Sequence, residues 1–320
     1  MRRLLALLVA VGLVVVALVI RNREHNSASA GGRLRLTCAP ELAQACHALG
    51  SDLDVIVEAP GTTAARLSAG DRAGLDGWLT PGPWPEIVRE ARQRAGKNQL
   101  LTVGAPLARS QVALAVWPDR AAVLRKACPN GEIGWRCLGD VAGKGRWTAV
   151  GGPESWGPVK VALPAPPADA TGLADLGAAT AAFFGRVDVS SVDLQDDGFR
   201  AWLRGLAAAA ADRPLEQVLA AGPAEADVVA TLDAIARPLL AASARSPKPV
   251  LLYPSPVSNA DVVLGSVGGD RGRRLADLVG EKGPAALVTA GWRPAARQPS
   301  GLPSAGLLDA LRTAWQEAAG

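Results

Sequence analysis

The sequence reads Leu34-Arg35-Leu36-Thr37-Cys38-Ala39-Pro40-Glu41-Leu42 shortly after a polar linker, and this stretch joins two kinds of element. Its first residues form a short apolar run of the kind found in strands. Pro40 is typical of the first turn of a helix, because the N–H group that it lacks would have no partner there. The stretch therefore predicts a strand over residues 34–37 that leads directly into a helix over residues 41–49.

The same alternation of short apolar runs and helix-like segments continues along the chain. Strands are predicted at 53–57, 76–80, 99–103, 111–116, 159–163, 227–231, 250–253 and 262–265. Helices are predicted at 63–68, 85–95, 119–127, 171–184, 198–211, 214–221, 271–279, 284–290 and 305–318. Residues 129–158 are rich in glycine and predict a loop-rich insertion. This pattern indicates an α/β fold, and a length of 320 residues suggests about two domains.

The N-terminal segment is apolar and predicts a membrane anchor. A run of seventeen residues without charge, proline or polar side chains begins at Leu4 and ends at Ile20, which is the short limit for spanning a bilayer. Arg2 and Arg3 precede it and favour a cytoplasmic N-terminus, so the body would lie outside the cell membrane. A cleaved signal peptide ending at Ala28-Ser29-Ala30 is the alternative. Both routes export residues 33–320.

The charge of the exported body gives no indication of nucleic-acid binding. The formal net charge is +4, but four arginines and only one acidic residue fall within the first thirty positions. The remainder is therefore almost neutral, and it contains no basic run interleaved with aromatic residues.

Four cysteines in an exported chain predict two disulfides. The spacing favours the local pairs Cys38 with Cys46 and Cys128 with Cys137, although three pairings are formally possible. A zinc site is the competing interpretation, but the chain contains no CxxC motif. The first pair requires the helix after the first strand to fold back over its own turn, with α-carbons within about 7 Å.

Several stretches, in this order, resemble type 2 periplasmic solute-binding proteins of the molybdate-binding-like class, including bacterial binding domains found with von Willebrand factor A domains. They are Leu34 to Leu42, Asp76-Gly77-Trp78-Leu79, Pro106-Leu107-Ala108-Arg109-Ser110, Ala170-Thr171-Gly172-Leu173, Asp227-Val228-Val229-Ala230-Thr231 and Gly291-Trp292-Arg293-Pro294. The resemblance implies two α/β lobes joined by two crossings, with a ligand in the cleft between them. The expected division is an anchor and linker at 1–32, a first lobe at 33–109 plus 254–320, and a second lobe at 110–253.

The turns that would border such a cleft supply the candidate ligand-binding residues, because ligands bind at the carboxyl ends of strands and at helix N-termini. These candidates are Glu41, Thr62, Trp78, Ser110, Thr171, Thr231 and Tyr253. The simpler interpretation is that Thr62 and Thr171 are helix caps and that Trp78 serves local packing. Glu41 would repel an anion, which argues against molybdate or sulfate.

The residues do not favour catalysis. The body has a single histidine, His47, and no GxSxG motif, so a hydrolase would have few candidates for its base. The stretch 139–144 is one residue short of a phosphate-binding loop and lacks its Ser/Thr, and Asp193, Asp196 and Asp197 do not have EF-hand spacing. No enzyme activity, cofactor or metal is expected.

Two functions remain. The favoured one is a membrane-anchored solute-binding protein that captures a small polar solute in the cleft, with an ABC-type transporter as the candidate recipient. The alternative is the same fold used as a cell-envelope interaction or assembly module without a small-molecule ligand. The expected partners are the solute, the membrane, and a transporter or envelope protein.

Overall fold

The computed structural model describes residues 32–71 and 74–320. The predicted membrane anchor lies outside these residues. No helix in the described part is long and apolar enough to cross a membrane.

The described chain forms strands and helices in alternation, as the sequence predicts. The strands are β1 Leu34–Cys38, β2 Leu53–Val57, β3 Gly77–Pro81, β4 Leu101–Val103, β5 Ala108–Val116, β6 Val161–Ala162, β7 Ala210–Ala211, β8 Val228–Leu232, β9 Val250–Leu252, β10 Asn259–Val267 and β11 Arg293–Pro294. The α-helices are α1 Ala43–Ala48, α2 Pro60–Ala69, α3 Trp84–Arg94, α4 Pro118–Ala127, α5 Trp135–Gly143, α6 Ala170–Phe184, α7 Asp197–Ala209, α8 Leu215–Ala221, α9 Asp233–Ala242, α10 Asp270–Thr289 and α11 Ala305–Ala319.

The strands form two sheet sections that share β5. In the first section the order is β2-β1-β3-β10-β5, with β1 parallel to β2 and β3, and β10 antiparallel to β3 and β5. In the second section β5 pairs with β8 and β9, and β8 is parallel to β6. The pairing of β5 changes between Gln111, opposite Asn259, and Val112, opposite Leu232. One nine-residue strand therefore belongs to both sections.

Both disulfides form as predicted. Cys38 is bonded to Cys46 with α-carbons 6.7 Å apart, and Cys128 is bonded to Cys137 with α-carbons 5.5 Å apart. Cys38 ends β1 and Cys46 lies in α1, so the first bond ties the strand to the helix that follows it. The short separations of 8 and 9 residues explain why spacing alone was sufficient to predict the pairs.

The prediction of a loop-rich insertion at 129–158 was wrong in part, because this segment contains helix α5. Two glycines have a packing role: a Cβ on Gly139 of α5 would lie 2.1 Å from the ring of Trp202 in α7, and one on Gly205 of α7 would lie 2.7 Å from the backbone of Gly143. The glycines thus allow α5 and α7 to approach closely. Glycine content did not reveal α5, because Gly139 serves the contact between helices whereas Gly131, Gly145, Gly151 and Gly157 adopt positive φ outside the helix.

The predictions were also wrong for two helices that contain a proline. Residues 271–279 and 284–290 were predicted as separate helices, yet α10 runs continuously through Pro284. Helix α9, which contains Pro238, was not predicted. In α10 the buried Leu275, Val279 and Leu287 pack on the sheet, and this burial outweighs the local cost of proline.

The C-terminal helix α11 contacts both sections. Leu308 packs against α6, where a Cβ on Gly177 would lie 2.7 Å from its side chain. On the other side, Arg94 of α3 donates to Asp309 over 2.7 Å. One face of this helix, formed by Leu307, Leu308, Leu311 and Trp315, is buried.

Candidate functional site

A cavity of about 420 Å³ lies between the two sheet sections. The turn after β1 contributes Pro40 and Glu41 to its wall, and the segment after α10 contributes Trp292. The second section contributes the N-terminus of α6 with Asp169 and Thr171, the turn before α8, and Thr231 at the end of β8. The cavity therefore lies at the carboxyl ends of strands from both sections, which is where ligands bind in open α/β sheets.

Glu41 connects the two sections across this cavity. It lies in a short 3-10 helix, Pro40–Leu42, and its Oε1 accepts hydrogen bonds from the backbone N–H and the hydroxyl of Thr171 over 3.1 and 3.2 Å. A carboxylate is favoured at a helix N-terminus by the partial positive charge there. Glu41 thus occupies the position at the start of α6 where an external anion would otherwise bind.

The second oxygen of Glu41 is different. Oε2 is buried and has no hydrogen-bond partner in the part of the chain that the structure describes. Burial raises the pKa of Glu41 above its ordinary value, and the hydrogen bonds from Thr171 offset this only in part. The carboxyl group therefore has one satisfied oxygen and one that still needs a donor.

Asp169 is the N-cap of α6, where the sequence suggested Thr171. Its Oδ1 accepts from the backbone N–H of Gly172 over 2.9 Å. Gly172 is required at this place because a Cβ would lie 2.1 Å from the carbonyl oxygen of Pro164. Burial, together with the nearby charge of Glu41, raises the pKa of Asp169 to about 7.

A third carboxyl group, Asp175, lies further along the same helix. It is completely buried, and neither of its oxygens has a hydrogen-bond partner among residues 32–71 and 74–320. Burial raises the pKa of Asp175 well above its ordinary value, and the charge of Asp169 adds to this. The start of α6 thus collects three acidic groups, each of which binds protons more tightly than in water.

Direct contacts hold the two sections together beside the cavity. The backbone N–H of Gly61, in the first turn of α2, donates to the carbonyl of Ala168 over 2.9 Å. A Cβ at position 61 would lie 2.5 Å from the carbonyl oxygen of Pro167, so this approach requires glycine. Arg312 of α11 donates to the carbonyl of Pro167 over 3.1 Å, and its guanidinium lies over the ring of Trp84.

A second polar network joins the sections where β5 changes its pairing. Asp233, at the start of α9, accepts hydrogen bonds from Arg237 over 2.6 Å, from Arg293 over 2.8 Å and from the hydroxyl of Tyr253. Burial alone would raise the pKa of Asp233, but these three donors lower it below its ordinary value. Next to it, Ser110 accepts from the N–H of Ala234 over 2.9 Å. This network connects α9, the segment after β9 and β11.

The structure brings together three of the seven predicted site residues. Glu41, Thr171 and Thr231 line the cavity. Ser110 and Tyr253 lie in the network around Asp233 and do not line it.

Thr62 and Trp78 do not line the cavity. Thr62 is exposed on α2, and Trp78 is completely buried in β3. For Trp78 the simpler interpretation, local packing, is the one that its burial favours.

Sequence reasoning missed Asp169, Asp212, Glu216 and Trp292 as lining residues. A signal existed for Asp169, since aspartate is a preferred N-cap and stands just before Ala170-Thr171-Gly172. Nothing local distinguishes the other three. The described part of the chain contains no group of three or more His, Cys, Asp or Glu side chains arranged to hold a metal ion.

The arrangement of strands, helices and cleft defines the class: the chain has the fold of periplasmic solute-binding proteins. A periplasmic thiamin-binding protein is similar over 90% of this chain and 96% of its own, with a TM-score of 0.57 and 12% identity. A protein of Bordetella parapertussis, provisionally assigned as an extracellular solute-binding protein, is similar over 91% of this chain and 100% of its own, with a TM-score of 0.51 and 13% identity.

A protein of Listeria monocytogenes, provisionally assigned as a spermidine/putrescine ABC transporter, is similar over 86% of this chain and 84% of its own, with a TM-score of 0.50 and 9% identity. At the level of sequence, no protein-family model and no curated protein matches the chain. The predicted resemblance is therefore confirmed as a resemblance of fold.

Proposed function

We propose that this protein is an extracytoplasmic solute-binding protein that holds a small polar solute between two lobes. The observation that carries the proposal is the cavity lined from both sheet sections, with hydroxyl, carboxyl and aromatic groups in its wall. Ligand pockets of this size, with a few polar groups on an otherwise apolar lining, are typical of small-molecule sites. The similar proteins that are named for thiamin and for spermidine or putrescine support the same role.

The proposed lobes are residues 33–109 plus 254–320, and residues 110–253. The change of pairing in β5 between Gln111 and Val112 supports the first boundary. The segment between β9 and β10 supports the second. A solute that contacts both lobes would favour the closed arrangement, because only differential contacts shift such an equilibrium.

The proposed location is the outer side of the cell membrane. Two disulfides favour an oxidising compartment. We further propose that residues 4–20 anchor the protein in the membrane, and that it delivers its solute to a membrane transporter. Mass spectrometry of the mature chain tests the anchor, since a chain that begins at Gly31 would mean that the segment is cleaved.

A second candidate is an envelope interaction or assembly module that binds no solute. The close contact of Gly61 with Ala168, and the contacts of α11 with both sections, favour it, because they hold the sections together without a ligand. In that case the cavity would be a by-product of packing.

A thermal-shift screen of the full-length chain tests the proposal against this alternative. The compounds are sugars, amino acids, peptides, amines and oxyanions at millimolar concentration. A solute at 100 times its Kd is expected to add about 2.7 kcal/mol to the free energy of unfolding. Thr171→Val and Thr231→Val remove hydroxyls from the cavity wall and should reduce the shift, whereas Thr102→Val on the exposed face of β4 should not. No shift with any compound would favour the interaction module.

A further inference from the structure

We propose that the chain clamps its own two sections together, and that α11 is a strap which must release the segment 167–171 before the cavity can open. This inference goes beyond solute binding, because it concerns contacts within the chain and its test needs no solute. It is carried by three elements that all hold this one segment, which leads into α6: the 3-10 helix at 40–42, α2 and α11.

Two helix N-termini donate hydrogen bonds from one section to the other. The N–H groups in the first turn of a helix have no partner inside that helix. Gly61, in the first turn of α2, donates to the carbonyl of Ala168 over 2.9 Å. Thr171, in the first turn of α6, donates to Glu41 over 3.1 Å. Each section therefore supplies the acceptor that the helix of the other section needs, and closure satisfies both groups.

Arg312 of α11 makes the third connection to the segment. Its guanidinium donates to the carbonyl of Pro167 over 3.1 Å and to Asp309 over 3.0 Å. The same guanidinium lies 4.7 Å from the centre of the Trp84 ring at the start of α3. The side chain is only 22% exposed. Arg312 therefore links α3, α11 and the start of α6 at one point.

The rest of α11 lies across both sections. Towards the second section, Leu308 packs on α6 beside Gly177, and the helix also contacts α7. Towards the first section, Asp309 accepts from Arg94 of α3 over 2.7 Å, and other residues of these two helices are in contact. The sections can separate only if the contacts on one side of α11 are broken.

The segment that precedes α11 fixes the start of the strap. The backbone N–H of Asn259 in β10 donates to the carbonyl of Ser300 over 2.7 Å. Arg109 of β5 donates to the carbonyl of Gln298 over 2.9 Å. Both strands belong to the region where the chain passes between the sections. The strap therefore begins at a fixed point and extends from there to the segment that it holds.

The segment 167–171 is itself held against α6. Asp169 caps the helix by accepting from the N–H of Gly172 over 2.9 Å. Gly172 also approaches the preceding loop so closely that a Cβ there would lie 2.1 Å from the carbonyl oxygen of Pro164. Because the segment is fixed to its own helix, its bonds to the first section break when the second section moves as a body.

A self-clamped arrangement has a consequence for any solute. The measured affinity falls in proportion to the fraction of the protein that is open to binding. Under the proposed function, α11 would therefore lower the apparent affinity and slow both the entry and the release of the solute.

Amide hydrogen exchange of the full-length chain, followed by nuclear magnetic resonance, tests the inference. The N–H groups of Gly61 and Thr171 bond across the boundary between the sections, so one opening event should expose both. The N–H of Gly172 bonds within the second section and reports fraying of α6. We expect equal protection factors for the first two amides, and protection at least as strong for Gly172.

Arg312→Leu removes the polar connections of the strap. The protection factors of Gly61 and Thr171 should fall together, by on the order of tenfold, because hydrogen bonds that hold the sections together are lost. The protection of Gly172 should not change. Equal losses at all three amides would mean that Arg312 merely stabilises α6.

Arg273→Leu in α10 is the matched control. Arg273 pairs with Asp270 three residues earlier, as Arg312 does with Asp309, but its side chain is 74% exposed. It forms no hydrogen bond to the second section among the described residues. This variant should leave the protection of all three amides unchanged.

Gly61→Ala tests the same boundary from α2. Alanine suits a helix better than glycine does, but the new Cβ would lie 2.5 Å from the carbonyl oxygen of Pro167. The Thr171 amide should therefore lose protection, again by on the order of tenfold. Gly280→Ala in α10 is the control, because a Cβ there meets nothing within 4 Å.

Three results would overturn the inference. They are free exchange of Gly61 and Thr171 in the unchanged protein, protection that Arg312→Leu does not lower, and an equal loss in a control variant. If Gly61→Ala does not fold, Arg312→Leu decides the question. None of these results depends on whether a solute binds, which the thermal-shift screen tests separately.

Discussion

Two groups of buried carboxyls in this protein differ in how well they are satisfied. Asp227, just before β8, is completely buried, and its oxygens accept from Arg120, Trp147 and the backbone N–H of Lys160, each over 2.9 Å. Glu41, Asp169 and Asp175, around the start of α6, retain three buried oxygens without a partner within the described part of the chain: Oε2 of Glu41 and both oxygens of Asp175. One group fixes the fold, and the other lies beside the cavity.

The surroundings of Asp227 show that its hydrogen bonds contribute to packing. Around Asp227, Trp156 lies over the guanidinium of Arg120 at 3.8 Å and meets Trp147 edge to face. This arrangement ties the segment after α5 to the second section. Around the start of α6 no equivalent donors among the described residues converge on Oε2 of Glu41 or on Asp175. Perturbed groups such as Glu41 and Asp169 in the wall of a cleft are typical of functional sites.

Removing the satisfied carboxylate should have the largest effect. Asp227→Ala leaves the buried guanidinium of Arg120 without its main partner, and we expect the free energy of unfolding to fall by about 3 to 5 kcal/mol. Urea denaturation followed by tryptophan fluorescence measures this. A loss below about 1 kcal/mol would mean that the network around Asp227 does not stabilise the fold.

Trp147→Phe tests the same network with a smaller change. It removes the indole N–H that donates to Asp227 and shortens a completely buried side chain, so a loss of about 2 kcal/mol is expected. Trp156→Phe, at a partly exposed position, is the control and should cost less. Equal losses in the two variants would argue against a specific role for the hydrogen bond.

Removing the unsatisfied carboxyl of Asp175 should instead stabilise the fold. Asp175→Ala removes a buried carboxyl that has no hydrogen-bond partner among the residues the structure describes, and it places a good helix former in α6. The free energy of unfolding should therefore rise by about 1 kcal/mol at pH 8. Matched urea curves at pH 8 give the difference. A loss of more than 1 kcal/mol would show that Asp175 has a stabilising partner after all.

Asp169 should govern a change in the pH dependence of stability. Because the pKa of Asp169 is raised from 3.8 to about 7 in the folded protein, the folded state retains a proton that the unfolded state has lost between these values. The contribution of Asp169 to stability is therefore fully present below about pH 4 and is lost as the pH rises towards 7. Asp169→Asn should flatten this part of the stability profile. Melting temperatures from pH 4 to pH 8 test this, and an unchanged slope would contradict it.

Much of the fold could be predicted from local patterns. The strand at 53–57 matches β2, the predicted helix over 119–127 differs from α4 by one residue, and both disulfide pairs follow from spacing. These features depend on neighbouring residues. The errors at α5, α9 and α10 arose where glycine or proline has a role that depends on a distant partner, as with Gly139 against Trp202.

The candidate site was predictable only in part for the same reason. Glu41 and Thr171 were identified because each follows a recognisable strand or begins a helix, but their contact joins positions 130 residues apart. Asp212, Glu216 and Trp292 carry no local signal that they meet at one cavity. The acidic character of the site therefore could not be predicted from local sequence patterns.

The sequence by itself determined the alternation of strands and helices, the two disulfides and the resemblance to solute-binding proteins, because these depend on short-range patterns of apolar, proline and cysteine residues. The tertiary structure alone decided which buried carboxyls are satisfied and which face a cavity. Desolvation and hydrogen bonding depend on atoms brought together from distant parts of the chain. The same residue type, aspartate, therefore anchors the fold at position 227 and has no hydrogen-bond partner in the described structure at position 175.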